Sequence, residues 1–152
     1  MNITKLILSV VIAFAYLNLQ GQTNDSLEVT KATQNFVKAF INFDWKNFRN
    51  SFSSDATIFF PGWEEGKRRV GQKEIEETWL ELFPEFIDST KKFDLKIDPK
   101  NIFMQLYSNT AIVTFHLTPN DNYLSRRTLV FIKEKEVWKI VHLHASSVSG
   151  GK

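Results

Sequence analysis

The sequence lacks cysteine, a marked excess of charge of one sign, and any apolar run long enough to span a bilayer. The absence of cysteine among the 152 residues excludes a disulfide framework, thiolate metal ligands and a cysteine nucleophile. Lys and Arg number 19 against 17 Asp and Glu, so attraction to a phosphate backbone cannot dominate binding. The one basic run, Lys67-Arg68-Arg69, follows Glu64-Glu65 and is predicted to be a solvated loop rather than a nucleic-acid patch.

The N-terminal segment is typical of a secretory signal peptide. Lys5 precedes 12 nearly continuous apolar residues from Leu6 to Leu17, whereas a membrane-spanning helix needs about 20. An uncleaved anchor that tethers the protein to a membrane is the alternative. No cysteine follows the run, which excludes a bacterial lipoprotein anchor. We expect a secreted or periplasmic protein without stable membrane association after cleavage.

The cleavage site divides the chain into two parts. Ala13-Phe14-Ala15 offers small residues at both recognition positions, but cleavage there shortens the apolar core. We therefore predict cleavage after Gly21, which gives a signal peptide over residues 1–21 and one domain over residues 22–152.

Helical periodicity dominates the first half of this domain. Asp25 and Glu28 resemble a capping box, and Asp44 is placed to cap a second helix. A third helix is predicted after Gly71 and must kink or end at Pro84. One apolar face of the first helix recurs at three- and four-residue steps: Val29, Ala32, Phe36, Phe40 and Phe43. Between the second and third helices, Ala56–Phe60 is predicted to be a short strand.

The period changes to two from Phe93 onward, which predicts a meander of antiparallel strands joined by short polar loops. The first strand runs to Tyr107 and is interrupted at Pro99. The others are predicted over Thr110–Thr118, Leu124–Lys133 and Val137–Ser147. The fold class is therefore α+β, with three N-terminal helices packed on one face of a curved antiparallel sheet.

The last predicted strand carries apolar side chains on both faces. Strict alternation directs Trp138, Ile140, His142, His144 and Ser146 to one face, and Val137, Val141, Leu143 and Ala145 to the other. A strand of this kind is expected to be covered on both sides. The helices cover one side, and a second copy of the sheet is predicted to cover the other, as a homodimer.

The order of elements and several local motifs resemble the nuclear transport factor 2-like superfamily, in particular its SnoaL-like members and the association (hub) domain of calcium/calmodulin-dependent kinase. The resemblance covers roughly Asp25 to Val148. Its motifs include Phe43-Asp44-Trp45, Phe59-Phe60-Pro61-Gly62 and, most specifically, the segment from Val137 to Ser146. The superfamily includes isomerases, dehydratases, epoxide hydrolases, cyclases and non-catalytic modules, so the resemblance implies a fold rather than a reaction.

The resemblance implies a cone-shaped fold with a pocket inside the curved sheet. Hub domains have arginines in this pocket, and the matching positions here are His116, Leu129 and Ala145. Only His116 keeps a potential positive charge. Arg127 lies on the same face as Leu129 and is expected to substitute for the arginine that Leu129 replaces. This departure from the hub pattern argues against a pocket that simply binds a carboxylate. The expected ligand-binding residues are Phe60, Trp79, Phe83, Tyr107, His116, Arg127 and Leu129.

Three histidines are the candidates for chemistry. His116 interrupts an apolar strand and could act as a general acid or base if it had a positioned partner. His142 and His144 could ligate a metal from one strand face, but zinc usually takes three or more protein ligands. Hydrogen bonding within an interface is the favoured interpretation of that pair. We predict no metal and no cofactor.

The sequence therefore favours an exported protein that binds a small, partly apolar molecule without catalysing a reaction. The aromatic excess, 21 residues in all from Phe 14, Trp 4 and Tyr 3, supports an aromatic-lined pocket. One alternative is an isomerase, dehydratase or cyclase that uses His116 as general acid or base. The other is a homo-oligomeric assembly module.

Overall fold

The computed structural model describes residues 23–60, 66–88, 90, 97–120 and 123–149. The predicted signal peptide and the first part of the strand predicted from Phe93 lie outside the described residues. Within those ranges, no helix is both long enough and apolar enough to cross a membrane.

Three helices precede most of the sheet. Helix α1 occupies residues 23–41, α2 spans Trp45–Asn50 and α3 spans Gly71–Leu82. The predicted cap of α2 is confirmed, because the Asp44 carboxylate accepts a hydrogen bond from the Asn47 backbone N–H at 3.1 Å. Helix α3 ends before Pro84, which begins a 3₁₀ turn over Pro84–Phe86.

Six strands form one sheet in the described part of the chain. They are β1 (Phe52–Phe59), β2 (Arg69–Val70), β3 (Lys100–Tyr107), β4 (Thr110–Asn120), β5 (Tyr123–Glu134) and β6 (Val137–Ser149). Their spatial order is β2-β1-β6-β5-β4-β3. The predicted meander of β3 to β6 is confirmed as antiparallel, and β1 pairs in parallel with β6. The sheet is curved and unclosed, as the α+β prediction requires.

The face of the sheet that packs on the helices, here called the inner face, carries the hydrophobic core. Phe48 of α2 is 1% exposed and contacts the rings of Phe36, Phe52 and Trp79 at centroid distances of 5.1 to 5.5 Å. Such offset and edge-to-face pairs stabilise the core beyond the burial of their area alone. Much of the aromatic excess is therefore packed between helices and sheet.

A β-bulge at Val141 changes which side chains of β6 share a face. Ile140 pairs with Phe131 and His142 pairs with Val130, so Val141 is an extra residue on β6. The prediction of strict alternation was therefore wrong. Trp138 and Ile140 lie on the inner face with Leu143 and Ala145, and all four are buried. His142, His144 and Ser146 lie on the opposite face, here called the outer face.

The expected capping box at Asp25 also differs from the structure. The chain is already helical at residue 23, so Asp25 does not begin α1. Its carboxylate instead accepts a hydrogen bond from Lys133 Nζ at 2.8 Å, and Glu28 approaches the same ammonium at 3.2 Å. These charge-assisted contacts fasten the first described turn of α1 to β5.

Candidate functional site

A small cavity lies between the inner face of the sheet and helices α1 and α3. Its volume is ≈ 30 Å³, which is enough for about one or two water molecules. Among the described residues, its lining is apolar and aromatic apart from one cation: Phe36, Val37, Phe40, Phe60, Trp79, Ile97, Phe115, Leu117, Leu143 and Arg127. This cavity is the candidate ligand site.

The strand register places Arg127 in this cavity. Arg127 on β5 pairs with Phe115 on β4 and with Ala145 on β6, and both neighbours are buried on the inner face. Directly paired residues share a face of the sheet. The adjacent Arg126 therefore points to the outer face, where it is exposed.

Arg127 is held by contacts with its own strand and with an aromatic ring. Its Nη1 donates to Ser125 Oγ and to the Arg126 carbonyl, the latter at 3.1 Å. Its Cζ lies 5.5 Å from the centroid of the Phe60 ring, within the range of a cation–π interaction. The guanidinium is thus positioned at the wall of an otherwise apolar cavity.

Trp79 also lines this cavity and carries a buried polar atom. It is 3% exposed, and its ring lies 5.0 Å from Phe60 and 5.3 Å from Phe83. Its indole Nε1–H is buried and makes no hydrogen bond in the described part of the chain. A buried donor without an acceptor costs about 1–3 kcal/mol, so an acceptor that reached it would be favoured.

The structure brings together only some of the seven predicted ligand-binding residues. Phe60, Trp79 and Arg127 line the cavity, and Phe83 packs against the rings of Phe60 and Trp79. Leu129 is fully buried in the core and does not line the cavity. The last two, Tyr107 and His116, lie on the outer face.

The expectation that His116 looks into the cavity is wrong. Its neighbours Phe115 and Leu117 line the cavity, so alternation turns His116 to the outer face. There its Nδ1 lies 3.3 Å from Asn101 Nδ2. Tyr107 is likewise 54% exposed, since Leu106 beside it packs on the core. The position on β4 that was matched to a hub arginine therefore lies outside the cavity.

One cation of the inner face was missed. Arg69, predicted to be part of a solvated loop, lies on β2 opposite the buried Ile58, and its Nε is buried. Only two residues form β2, and so short a strand leaves no periodic pattern to detect. The pairing with β1, rather than any local signal, directs Arg69 inward.

The two C-terminal histidines lie side by side on the outer face. His142 Nδ1 is 2.7 Å from Thr57 Oγ1, and the centroids of the His142 and His144 rings are 6.4 Å apart. Burial, followed by the nearby His144 and Arg68, lowers the pKa of His142. Among the residues that the structure describes, no group of three or more His, Asp or Glu side chains is arranged to hold a metal.

A curved sheet around helices, with a cavity inside, defines the nuclear transport factor 2-like class of fold. The model of the SnoaL-like domain family matches residues 29–149, and the chain belongs to this family. No functionally curated protein matches its sequence.

Solved structures agree with this fold. An NTF2-like protein of unknown function from Pseudomonas putida KT2440 is 12% identical with a TM-score of 0.70, covering 82% of this chain and 87% of that one. The CaMKII hub of S. rosetta is 24% identical with a TM-score of 0.60, covering 80% and 95%. A ketosteroid isomerase-like protein from Erwinia carotovora atroseptica SCRI1043 is 18% identical with a TM-score of 0.62, covering 82% and 96%. At these identities the likeness concerns the fold alone.

Proposed function

We propose that this SnoaL-like domain is an exported, non-catalytic protein that binds a small, partly apolar molecule in the inner cavity. The observation that best supports this proposal is the buried Trp79 indole N–H, which has no acceptor among the described residues. Trp79 lines the same cavity as Arg127. Both groups donate hydrogen bonds, so the ligand carries an acceptor oxygen. Its apolar part would pack against Phe60 and neighbouring rings.

The cavity volume limits how the ligand enters. A space of ≈ 30 Å³ does not hold a ring, so ligand binding requires partly buried side chains to change rotamer. Five apolar lining residues are only partly buried: Val37, Phe40, Phe60, Ile97 and Leu117. We infer that the ligand selects a conformer in which these side chains have moved apart.

Native mass spectrometry with a metabolite library tests this proposal. The expected result is a complex of defined added mass, accompanied by a higher melting temperature, because a ligand that binds only the folded state stabilises it. Trp79→Phe keeps an aromatic ring and removes the donor, and it should weaken the complex. Absence of any captured molecule, or capture unaffected by Trp79→Phe, would overturn the proposal.

We also propose that two copies associate through their outer faces. On β3, Phe103 and Tyr107 are 63% and 54% exposed, and Ile112 and Val130 are half-buried on the neighbouring strands. A two-fold axis would cover this apolar strip with the same strip of a second copy.

Light scattering distinguishes the monomer from this dimer. The parent chain should have the mass of a dimer, and Phe103→Glu should have that of a monomer, since it would bury two uncompensated charges near the axis. Ile87→Glu alters an equally exposed apolar residue away from the sheet and should stay dimeric. A monomeric parent chain would contradict the proposed association.

A further inference from the structure

A groove outside the inner cavity is a second concave surface of the described residues. Its volume is ≈ 620 Å³, within the range of small-molecule sites. It runs between one face of α1, helix α2 and the beginning of β6. Its floor is apolar and rigid, because Ala39, Phe131 and Trp138 are all buried in the core.

The wall formed by α1 and the turn after it carries four polar side chains. Lys31, Asn35 and Lys38 are spaced by four and three residues, which puts them on a single face of α1, and Asn42 follows four residues later, just after the helix ends. All four are exposed. In the described part of the chain their side chains make no hydrogen bond or ion pair, so they are available to a ligand.

The carboxylates of the groove are already engaged. Glu28 Oε2 accepts from Lys133 at 3.2 Å and from Trp138 Nε1 at 3.3 Å, and Glu136 approaches Lys133 at 3.3 Å. Asp44 accepts from the backbone and side-chain amides of Asn47, which lowers the pKa of Asp44. These contacts fix the walls in place.

The charge of the lining is balanced. Three carboxylates, those of Glu28, Asp44 and Glu136, face three ammoniums, those of Lys31, Lys38 and Lys139. A balanced lining gives no long-range attraction to an ion of either sign. The floor rings of Phe131 and Trp138 are 1% and 5% exposed, so they offer no open face on which a nucleobase could stack.

We propose that this groove binds a neutral oligosaccharide. The free amides of Asn35 and Asn42 each donate and accept hydrogen bonds, as sugar hydroxyls do. They are separated by seven residues, or roughly 10 Å along the helix at 1.5 Å per residue. A ligand that reaches both is longer than one pyranose ring. The site therefore takes at least a disaccharide, with an apolar ring face against the half-buried Ala32.

The test is titration of the ¹⁵N-labelled protein with maltose, cellobiose and lactose, and with glucuronate as a charged comparison. We expect at least one neutral disaccharide to move amide resonances within residues 31–42 and 136–139, with an affinity that does not change between low and high salt. Asn35→Ala combined with Asn42→Ala should weaken binding about tenfold or more. Gln105→Ala removes an exposed amide on β3, away from the groove, and should leave binding unchanged.

Three results would overturn this proposal. The first is that none of the three disaccharides moves these resonances. The second is that glucuronate binds more tightly than the disaccharides and is released by salt, which would make the groove an anion site. The third is binding that the Asn35 and Asn42 substitutions do not weaken. Trp79→Phe tests ligand capture in the inner cavity separately. The proposal for one site can therefore be contradicted while the proposal for the other stands.

Discussion

The Arg127 guanidinium carbon lies 5.5 Å from the centre of the Phe60 ring, and both side chains line the same cavity as the buried indole of Trp79. This arrangement combines one fixed positive charge with apolar walls. A low-dielectric wall strengthens the interaction of that charge with a ligand oxygen. Ligand binding in this cavity should therefore depend on Arg127.

Replacing Arg127 should abolish most ligand capture. Arg127→Gln removes the charge and the forked donors, and a charge-assisted hydrogen bond contributes about 1.5–3 kcal/mol, so affinity should fall about tenfold to a hundredfold. The measurement is titration by calorimetry with the molecule identified by mass spectrometry. Arg126→Gln is the matched control on the outer face, and it should bind normally. Equal losses in both variants would contradict the assignment of Arg127.

Removing the His116 imidazole should leave ligand capture and any detected turnover unchanged. His116 points away from the cavity and contacts Asn101 on the outer face. His116→Ala should therefore bind the captured molecule with parental affinity in the same calorimetric titration. A loss of turnover in this variant, with folding intact by circular dichroism, would revive an acid–base role for His116.

More of the fold than of the candidate site could be predicted from the sequence. Apolar spacing in α1, the Asp44 cap and the alternation in β4 and β5 are local signals, and local signals suffice for the helices and the meander. Pairing between distant strands leaves no such local trace. The pairing of β1 with β6 could not be obtained from either strand alone.

The predicted site was wrong where it depended on which face of a strand a residue occupies. Residues on one strand alternate between faces, so His116 lies on the outer face although its neighbours Phe115 and Leu117 line the cavity. The extra residue Val141 similarly reverses the expected alternation within β6. Arg127, which was expected to face the pocket because it shares a face with Leu129, and Trp79 both line the cavity.

Phe48 should contribute more to stability than any exposed aromatic or aliphatic residue. It is 1% exposed and contacts six other aromatic rings. Phe48→Ala should lower the free energy of unfolding by about 3–5 kcal/mol, because it removes buried apolar area and leaves a cavity. Denaturant titration measures this loss. Ile87→Ala, at a residue 70% exposed, should change it by no more than about 0.5 kcal/mol.

Stability should fall in mild acid because of His142. Burial lowers the pKa of His142 below its ordinary value of 6.5, so the unfolded chain binds this proton more readily than the folded one. Its contribution is therefore fully present above pH 6.5 and is lost as the pH falls through the lowered folded value. Urea denaturation across this range should show a smaller pH dependence for His142→Gln. If His142→Gln has the same pH dependence of stability as the parent chain, another group is responsible for it.

If the protein is exported, removal of the signal peptide should shorten the chain. Expressed with its own N terminus in a bacterial host, the protein should be recovered outside the cytoplasm, beginning at Gln22. Intact-mass measurement of the purified protein determines the new terminus. A membrane fraction containing the chain from Met1 would instead support the uncleaved anchor.

The indole resonance of Trp79 reports on the inner cavity most directly. In the ¹H–¹⁵N spectrum each tryptophan has one indole signal, and Trp79→Phe identifies the relevant one among the 4 in the sequence. We predict that the captured molecule shifts this signal downfield, because its oxygen accepts the Trp79 hydrogen bond, and that Arg127→Gln suppresses the shift. A bound molecule that leaves the Trp79 signal in place while moving outer-face resonances would contradict a ligand site inside the cone.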